Sequence, residues 1–229
     1  MKFIISPSVI CANYLNLQND LDQILQSKKC EYLHIDIMDG SFVDQITIGS
    51  SFLEWCKKGA KSLKMDVHLM IQNPEKHIET FAKAGADIFN YHFEAVQKHT
   101  EVLAEIKKHK MKAGIAIKPN TTFEEVRGVL QENINLIDNI LVCTVEPGYY
   151  GQKFMPQMLE KVRLVSEFLK TNNKQEQITI EVDGGVGLEN INDCIKAGAN
   201  VFVIGNAIFF NKDKDIKEAI EEIWNKIAF

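Results

Sequence analysis

Two short segments alternate an acidic or imidazole side chain with an aliphatic one: His34-Ile35-Asp36-Ile37-Met38 and Asp66-Val67-His68-Leu69-Met70. Side chains on a strand point alternately to opposite faces, which puts His34, Asp36 and Met38 on one side and Leu33, Ile35 and Ile37 on the other. Asp66, His68 and Met70 likewise oppose Met65, Val67 and Leu69. A third β-rich run, Ile178–Asp183, ends in Asp183 directly before Gly184-Gly185. Polar groups buried in this way are costly unless paired or bound. His34, Asp36, His68 and Asp183 make a mixed nitrogen and oxygen donor set suited to one divalent ion such as Zn2+, Fe2+, Mn2+ or Co2+. No thiolate cluster points to a structural zinc. A metal-free His–Asp hydrogen-bond network satisfies the same spacing, and the strand pattern by itself leaves both open.

Glycines form a second constellation. Pro147-Gly148-Tyr149-Tyr150-Gly151-Gln152, Asp183-Gly184-Gly185 and Gly205-Asn206 follow the last three β-rich runs. Glycine lets backbone N–H groups approach an anion closely, and a following helix start adds a favourable dipole. One such turn is ordinary; three in succession predict a phosphate site.

Positioning these groups requires strands that share one end. Strands are predicted near Phe3–Ser6, Tyr32–Met38, Lys64–Met70, Ile88–His92, Ala113–Ile117, Asn139–Val145, Ile178–Asp183 and Val201–Ile204, each followed by a helical pattern. Lys83-Ala84-Gly85-Ala86-Asp87-Ile88 is echoed by Lys196-Ala197-Gly198-Ala199-Asn200-Val201, each a helix end with a glycine cap running into a strand. Eight βα units in 229 residues with no Pro/Ser-rich linker predict a single α/β domain over 1–229, a (β/α)8 TIM barrel. A doubly wound sheet would carry its glycine fingerprint after the first strand, where Pro7-Ser8-Val9-Ile10-Cys11 stands instead.

Composition narrows the rest. The net charge of −5 offers no electrostatic grip on nucleic acid or anionic lipid. No apolar run reaches the ~20 residues of a membrane span. The start, Met1-Lys2-Phe3-Ile4-Ile5-Ser6-Pro7, makes a poor signal peptide. Cys11, Cys30, Cys56, Cys143 and Cys194 are odd in number and scattered, which reads as buried thiols in a reducing, cytoplasmic setting and makes the Asn120-Thr121-Thr122 sequon incidental.

Several segments together resemble the ribulose-phosphate 3-epimerase family. They are Ile5-Ser6-Pro7-Ser8, His34 through Val43, Asp66-Val67-His68-Leu69-Met70, Thr144-Val145-Glu146-Pro147-Gly148, Gly151-Gln152-Lys153-Phe154-Met155 and Glu181 through Gly187. The resemblance runs from Ile5 to about Phe209, and Ile117-Lys118-Pro119 with Gln152-Lys153-Phe154-Met155 looks most like the eukaryotic branch. It implies a ribulose-phosphate-binding type of barrel that interconverts D-ribulose 5-phosphate and D-xylulose 5-phosphate in the pentose phosphate pathway. It also implies metal ligation by His34, Asp36, His68 and Asp183, with Asp36 and Asp183 as the acid/base pair. Substrate contacts fall on Ser8 and His68, phosphate contacts on Gly148, Tyr149, Tyr150, Gly151, Gly184, Gly185, Gly205 and Asn206. A homodimer or larger homo-oligomer is implied as well.

The chemistry accounts for those assignments. Inverting C3 beside a C2 ketone removes a proton from one face and returns one to the other, which a carboxylate on each face achieves without moving the substrate. The charge that develops needs stabilising, as a divalent Lewis acid can do. Met38 and Met70 would wall the reacting plane, although ordinary barrel packing explains them equally well. Two other readings stand beside this one: an epimerase of a longer ketose phosphate such as allulose 6-phosphate, and a non-catalytic sugar-phosphate-binding barrel, against which the two aspartates argue.

The chain departs from the family in four places. Tyr150 stands where the first glycine of a pair is expected, so a positive φ there would be strained. Asn206 replaces a small hydroxyl residue, Cys143 a frequent Met, and Asp44-Gln45 a Pro-Asn pair. Away from the site, His77, His99 and His109 are expected to be solvated and Asp39 to stabilise a turn. His92 is expected to serve packing or a loop hydrogen bond, and Lys118 and Glu146 to orient neighbours.

Overall fold

The computed structural model describes residues 2–228. Strand β1 (Ile4–Pro7) leads through two short 3-10 turns into α1 (Leu17–Ser27), followed by β2 (Tyr32–Met38), α2 (Ser50–Gly59), β3 (Lys64–Met70) and α3 (Ile78–Ala84). The alternation continues with β4 (Ile88–His92), α4 (His99–Lys108), β5 (Lys112–Ile117), α5 (Phe123–Glu132), β6 (Asn139–Cys143) and α6 (Met158–Thr171). It ends with β7 (Thr179–Asp183), α7 (Ile191–Ala197), β8 (Val201–Ile204), the one-turn α8 (Asn206–Phe209) and α9 (Ile216–Ala228), which packs on α1. Every strand pairing is parallel, in the order β1-β8-β7-β6-β5-β4-β3-β2. Parallel bridges Ile5↔Cys30 and Ser8↔His34 close the ring between β1 and the β2 side. This is the (β/α)8 barrel.

Local chemistry sets the helix ends. Gly85 and Gly198 take left-handed φ of 100° and 112° after α3 and α7, so the two sequence echoes occupy equivalent corners four units apart. Thr122 caps α5 in a full capping box with Glu125, which makes Asn120-Thr121-Thr122 a helix start.

Outward strand residues such as Leu33, Ile35, Val67, Leu69, Phe89 and Tyr91 pack under the helices in one large cluster. Each such buried side chain contributes about 1.5–3 kcal/mol. Inside the barrel, Ile4, Tyr32, Ile88 and Val201 form a small apolar plug. One step along each strand toward its carboxyl end lies a polar layer of Ser6, His34, Asp66, Asn90, Asn139 and Glu181, with no residue more than 2% exposed. That layer survives burial because its members bond one another. Asn90 Nδ2 donates to Asp66 (2.7 Å), Asn139 Nδ2 to Asn90 (2.9 Å) and Glu181 (2.5 Å), and Thr179 Oγ1 to Asn139 (2.6 Å). Glycine at 114 is required here, since a Cβ would sit 1.7 Å from Asn90 Oδ1.

Strands β1, β5 and β7 have bounds one residue away from those expected, and two expectations change further. Strand β6 stops at Cys143 rather than Val145, because Thr144 turns across the end of β7: its N–H donates to Asp183 O and its hydroxyl to Gly184 O. His99 is not solvated. Its ring is buried, stacked on Phe93 at 4.9 Å and 3.2 Å from the Tyr91 hydroxyl, because the first turn of α4 folds back over β4. His77 is exposed and His109 half-buried beside Glu105. All five thiols are free, and Cys30 alone is half-buried rather than buried.

Candidate active site

The β2–β3 register pairs His34 with Asp66 and Asp36 with His68, so the two alternating segments mesh side by side on the barrel wall. Asp183 closes the group from the end of β7. His34 Nε2 lies 3.4 Å from Asp36 Oδ1 and 3.8 Å from Asp183 Oδ2; His68 Nδ1 lies 3.3 Å and 3.2 Å from the same two oxygens. Ser8 Oγ donates to the other oxygen of Asp36 at 2.7 Å.

Charge is concentrated in this knot. Burial would lower the pKa of both histidines, but the carboxylates win: Asp36 and Asp66 raise His34, and Asp183 and Asp36 raise His68, well above the ordinary imidazole range. Burial would raise Asp36, yet His34 and His68 hold its carboxyl well below the usual range. Asp66 is held down in the same way by His34, whereas burial and the Asp66 charge push Glu181 up.

The donor set fits a divalent ion. Ligand bonds of about 2.0–2.2 Å in a tetrahedron imply donor separations of about 3.3–3.6 Å, and the four histidine–carboxylate separations run from 3.2 to 3.8 Å. His34 Nε2 is buried without a hydrogen-bond partner, while its Nδ1 faces Asp66 Oδ2 at 2.8 Å. That is the carboxylate–histidine arrangement which turns the other ring nitrogen toward a metal. A divalent ion also carries the charge of the two protons it displaces from the rings.

Above the knot opens a cleft of about 470 Å3. Ser8, Asp36, Met38, Met70, Asp183, Gly148, Tyr149, Tyr150, Gly151, Gly184, Gly185, Gly205 and Asn206 all line it. His34 and His68 do not; at 0% and 1% exposed they lie beneath its floor. Met38 and Met70 pack with Val43 as an apolar wall. The glycine loop resolves the concern at Tyr150: the positive φ values fall on Gly148 (122°) and Gly151 (83°), leaving Tyr150 unstrained and 58% exposed near Phe210. At Gly185, with φ 65°, a Cβ would meet the Phe154 backbone nitrogen at 2.6 Å, so the neighbouring loop seats directly against it. Asn206 Oδ1 accepts the Cys11 thiol at 3.4 Å, which leaves Nδ2 facing Gly151 as a free donor.

Sequence reasoning placed Asp66 on the inward face but gave it no role, and it missed Glu181, Asn90 and Asn139. All four are as buried as the ligand candidates, and the inward strand period does point each of them into the barrel. It also underrated His92, whose Nε2 is 2.9 Å from His68 Nε2. Asp39 does brace its turn, accepting from Ser41, Phe42 and Gln72. Lys118 sits over the Phe42 ring, and Glu146 accepts from Asn120.

Fold and site together define a TIM-barrel enzyme with its polar machinery at the carboxyl ends of the strands. Solved barrels share the architecture at low identity: KGPDC from Streptococcus mutans superposes with a TM-score of 0.70 at 12% identity, covering 100% of this chain and 98% of that one. A 3-hexulose-6-phosphate synthase gives a TM-score of 0.65 at 18% identity, covering 99% of both chains. A family model described as the Ribulose-phosphate 3 epimerase family matches residues 4–209. The cytoplasmic isoform of ribulose-phosphate 3-epimerase from Oryza sativa subsp. japonica is 39% identical, over 90% of this chain and 86% of its own length. The Bacillus subtilis ribulose-phosphate 3-epimerase is 37% identical over 96% and 97%. The chain belongs to the ribulose-phosphate 3-epimerase family, and it is an isomerase. Among the described residues no helix is long and apolar enough to cross a membrane.

Proposed function

We propose that this barrel interconverts D-ribulose 5-phosphate and D-xylulose 5-phosphate by a two-base proton transfer at C3, with Asp36 and Asp183 as the bases and His34, Asp36, His68 and Asp183 as ligands of one divalent ion. The observation that carries the reading is the division within the knot: both aspartates line the cleft, while both histidines lie beneath it. Asp36 stands on β2 and Asp183 at the end of β7, so a flat substrate seated between them meets a carboxylate on each face. One takes the C3 proton and the other returns one to the opposite face. Ser8 donates to Asp36 and steadies the carboxylate in either protonation state. When bound, the ion supplies Lewis-acid stabilisation of the negative charge that develops on the substrate oxygens. Met38 and Met70 exclude water from the reacting plane. The glycine turns and Asn206 Nδ2 hold the phosphate mainly through N–H groups, since Lys153 is exposed outside the loop. Remote phosphate binding then holds C3 between the bases.

The setting we propose is cytoplasmic, in a single domain that assembles as a homodimer or larger. Leu15, Ile46 and Trp55 are exposed, and Tyr14 packs on Phe52 to join the β1 loop to α2, which gives an apolar surface for such contact. Asp36→Asn and Asp183→Asn should each abolish epimerisation in a coupled assay run with both ketose phosphates and with metal content measured on the same samples. Turnover near the wild-type rate by either metal-loaded variant would refute the two-base assignment. Faster turnover of the hexulose phosphate would move the substrate assignment.

A further inference from the structure

The two ligand histidines offer different nitrogens. His34 presents Nε2 and is fixed from behind by Asp66, whereas His68 presents Nδ1 and has His92 behind it. We propose that His92 is a positioning residue for His68, given its direction by Glu94; this rests on the metal reading above. His92 ends β4 and is wholly buried. Its Nδ1 lies 3.1 Å from Glu94 Oε2, and its Nε2 lies 2.9 Å from His68 Nε2. Glu94 is itself held in place: its other oxygen accepts from the Lys118 N–H at 3.0 Å and the Thr121 hydroxyl at 2.5 Å.

Two facing imidazole nitrogens bond only when one carries a proton and the other does not. An ionised Glu94 can only accept, so His92 must place its proton on Nδ1 and turn a bare Nε2 to His68. His68 must then carry a proton on Nε2, so that the proton an ion displaces is the one on Nδ1, beside Asp36 and Asp183, and the lone pair freed there is the ligating one. The reverse order would put the proton on the ligating nitrogen. Phe42 packs on the His92 ring with centroids 4.8 Å apart, and Lys118 Nζ stands 3.7 Å from the Phe42 centroid. The relay is thereby clamped by the loops after β2 and β5, and neither His92 nor Glu94 lines the cleft.

The test uses the full chain, stripped of metal, with Zn2+ affinity measured by competition with a chromogenic chelator. His92→Phe keeps a ring without the acceptor and should weaken Zn2+ binding by about 10–100-fold, the range for lost ligand-orienting partners. Glu94→Gln is isosteric, can point either an oxygen or an amide N–H at His92, and should weaken binding in the same direction by a smaller factor. His92→Gln can accept from His68 through its amide oxygen and should recover most of the affinity. With saturating metal, all three should retain the wild-type KM. Failure of the wild type to bind Zn2+ would overturn the metal reading and this one with it. One equivalent bound by the wild type, with unchanged affinity in Glu94→Gln and His92→Phe, would overturn the positioning role alone. If His92→Phe does not fold, Glu94→Gln against His92→Gln still decides.

Discussion

Gly114→Ala probes the polar layer through a single added methyl group. The new Cβ would stand 1.7 Å from Asn90 Oδ1 and 2.8 Å from its Cγ, in a strand whose neighbours on both sides are fully buried. Asn90 must move, and with it goes its donation to Asp66 and its acceptance from Asn139. Overpacking costs about 1–3 kcal/mol, and a lost hydrogen bond to an ionised carboxylate costs about 1.5–3 kcal/mol. The sum, about 2.5–6 kcal/mol, compares with the 5–15 kcal/mol that holds a typical domain together. Asn90→Ala alone loses the same bond but no longer clashes with a methyl at 114. The double variant still sets the new methyl 3.3 Å from Asn139 Cβ, so it should be only slightly less stable than Asn90→Ala, giving a coupling of at least about 2 kcal/mol between the sites. Urea unfolding of the four proteins, all metal-stripped and then all metal-loaded, measures the cycle. Additivity within about 0.5 kcal/mol would show that Gly114 and Asn90 do not compete for this space, and the packed polar layer would be wrong.

Chelation should remove one divalent ion per chain together with activity, and His68→Ala should lower metal affinity by at least about 10-fold, because even partners of ligands cost that much; an active, metal-free enzyme in elemental analysis would contradict this. Gly185→Ala should raise KM strongly or prevent folding, since its Cβ meets the Phe154 backbone, whereas Lys153→Ala and Tyr150→Gly should leave KM near wild type. Loss of binding in Lys153→Ala with Gly185→Ala harmless would place the phosphate elsewhere. Asp39 supplies the pH test: burial would raise its pKa, but N–H bonds from Phe42, Gln72 and Ser41 hold it below the usual range. Its folded pKa is thus lower than its unfolded one, about 3.9, so its stabilisation is complete above that pH and fades as pH falls through the folded value. Asp39→Asn should lower Tm at neutral pH, and its gap from wild type should narrow below about pH 4; a gap independent of pH would refute the charge assignment.

The eight strands, their sides and the late glycine turns were legible in the residues because strand period, glycine caps and loop chemistry are local. Four strands begin and end where the alternation placed them: Tyr32–Met38, Lys64–Met70, Ile88–His92 and Val201–Ile204. That His34, Asp36, His68 and Asp183 share the inward side of β2, β3 and β7 was legible too, since strand alternation sets the side each faces. What the residues could not express is register and depth. Only the closed ring brings Asp183 of β7 against His68 of β3, strands far apart in the sheet order. Depth decides that the aspartates line the cleft and the histidines lie under it. The same closure pushes the Asp66 carboxyl pKa down and the Glu181 carboxyl pKa up within one layer, because burial and the charges of His34 and Asp66 act between strands and not along the chain. His99 shows the limit from the other side: charged neighbours in sequence suggested a solvated ring, but the fold-back of α4 onto Phe93 and Tyr91 buried it. Sequence spacing determined which side chains share a face. Tertiary closure determined which of those faces meet, and therefore which groups carry charge, which touch the cleft and which serve only to hold the others.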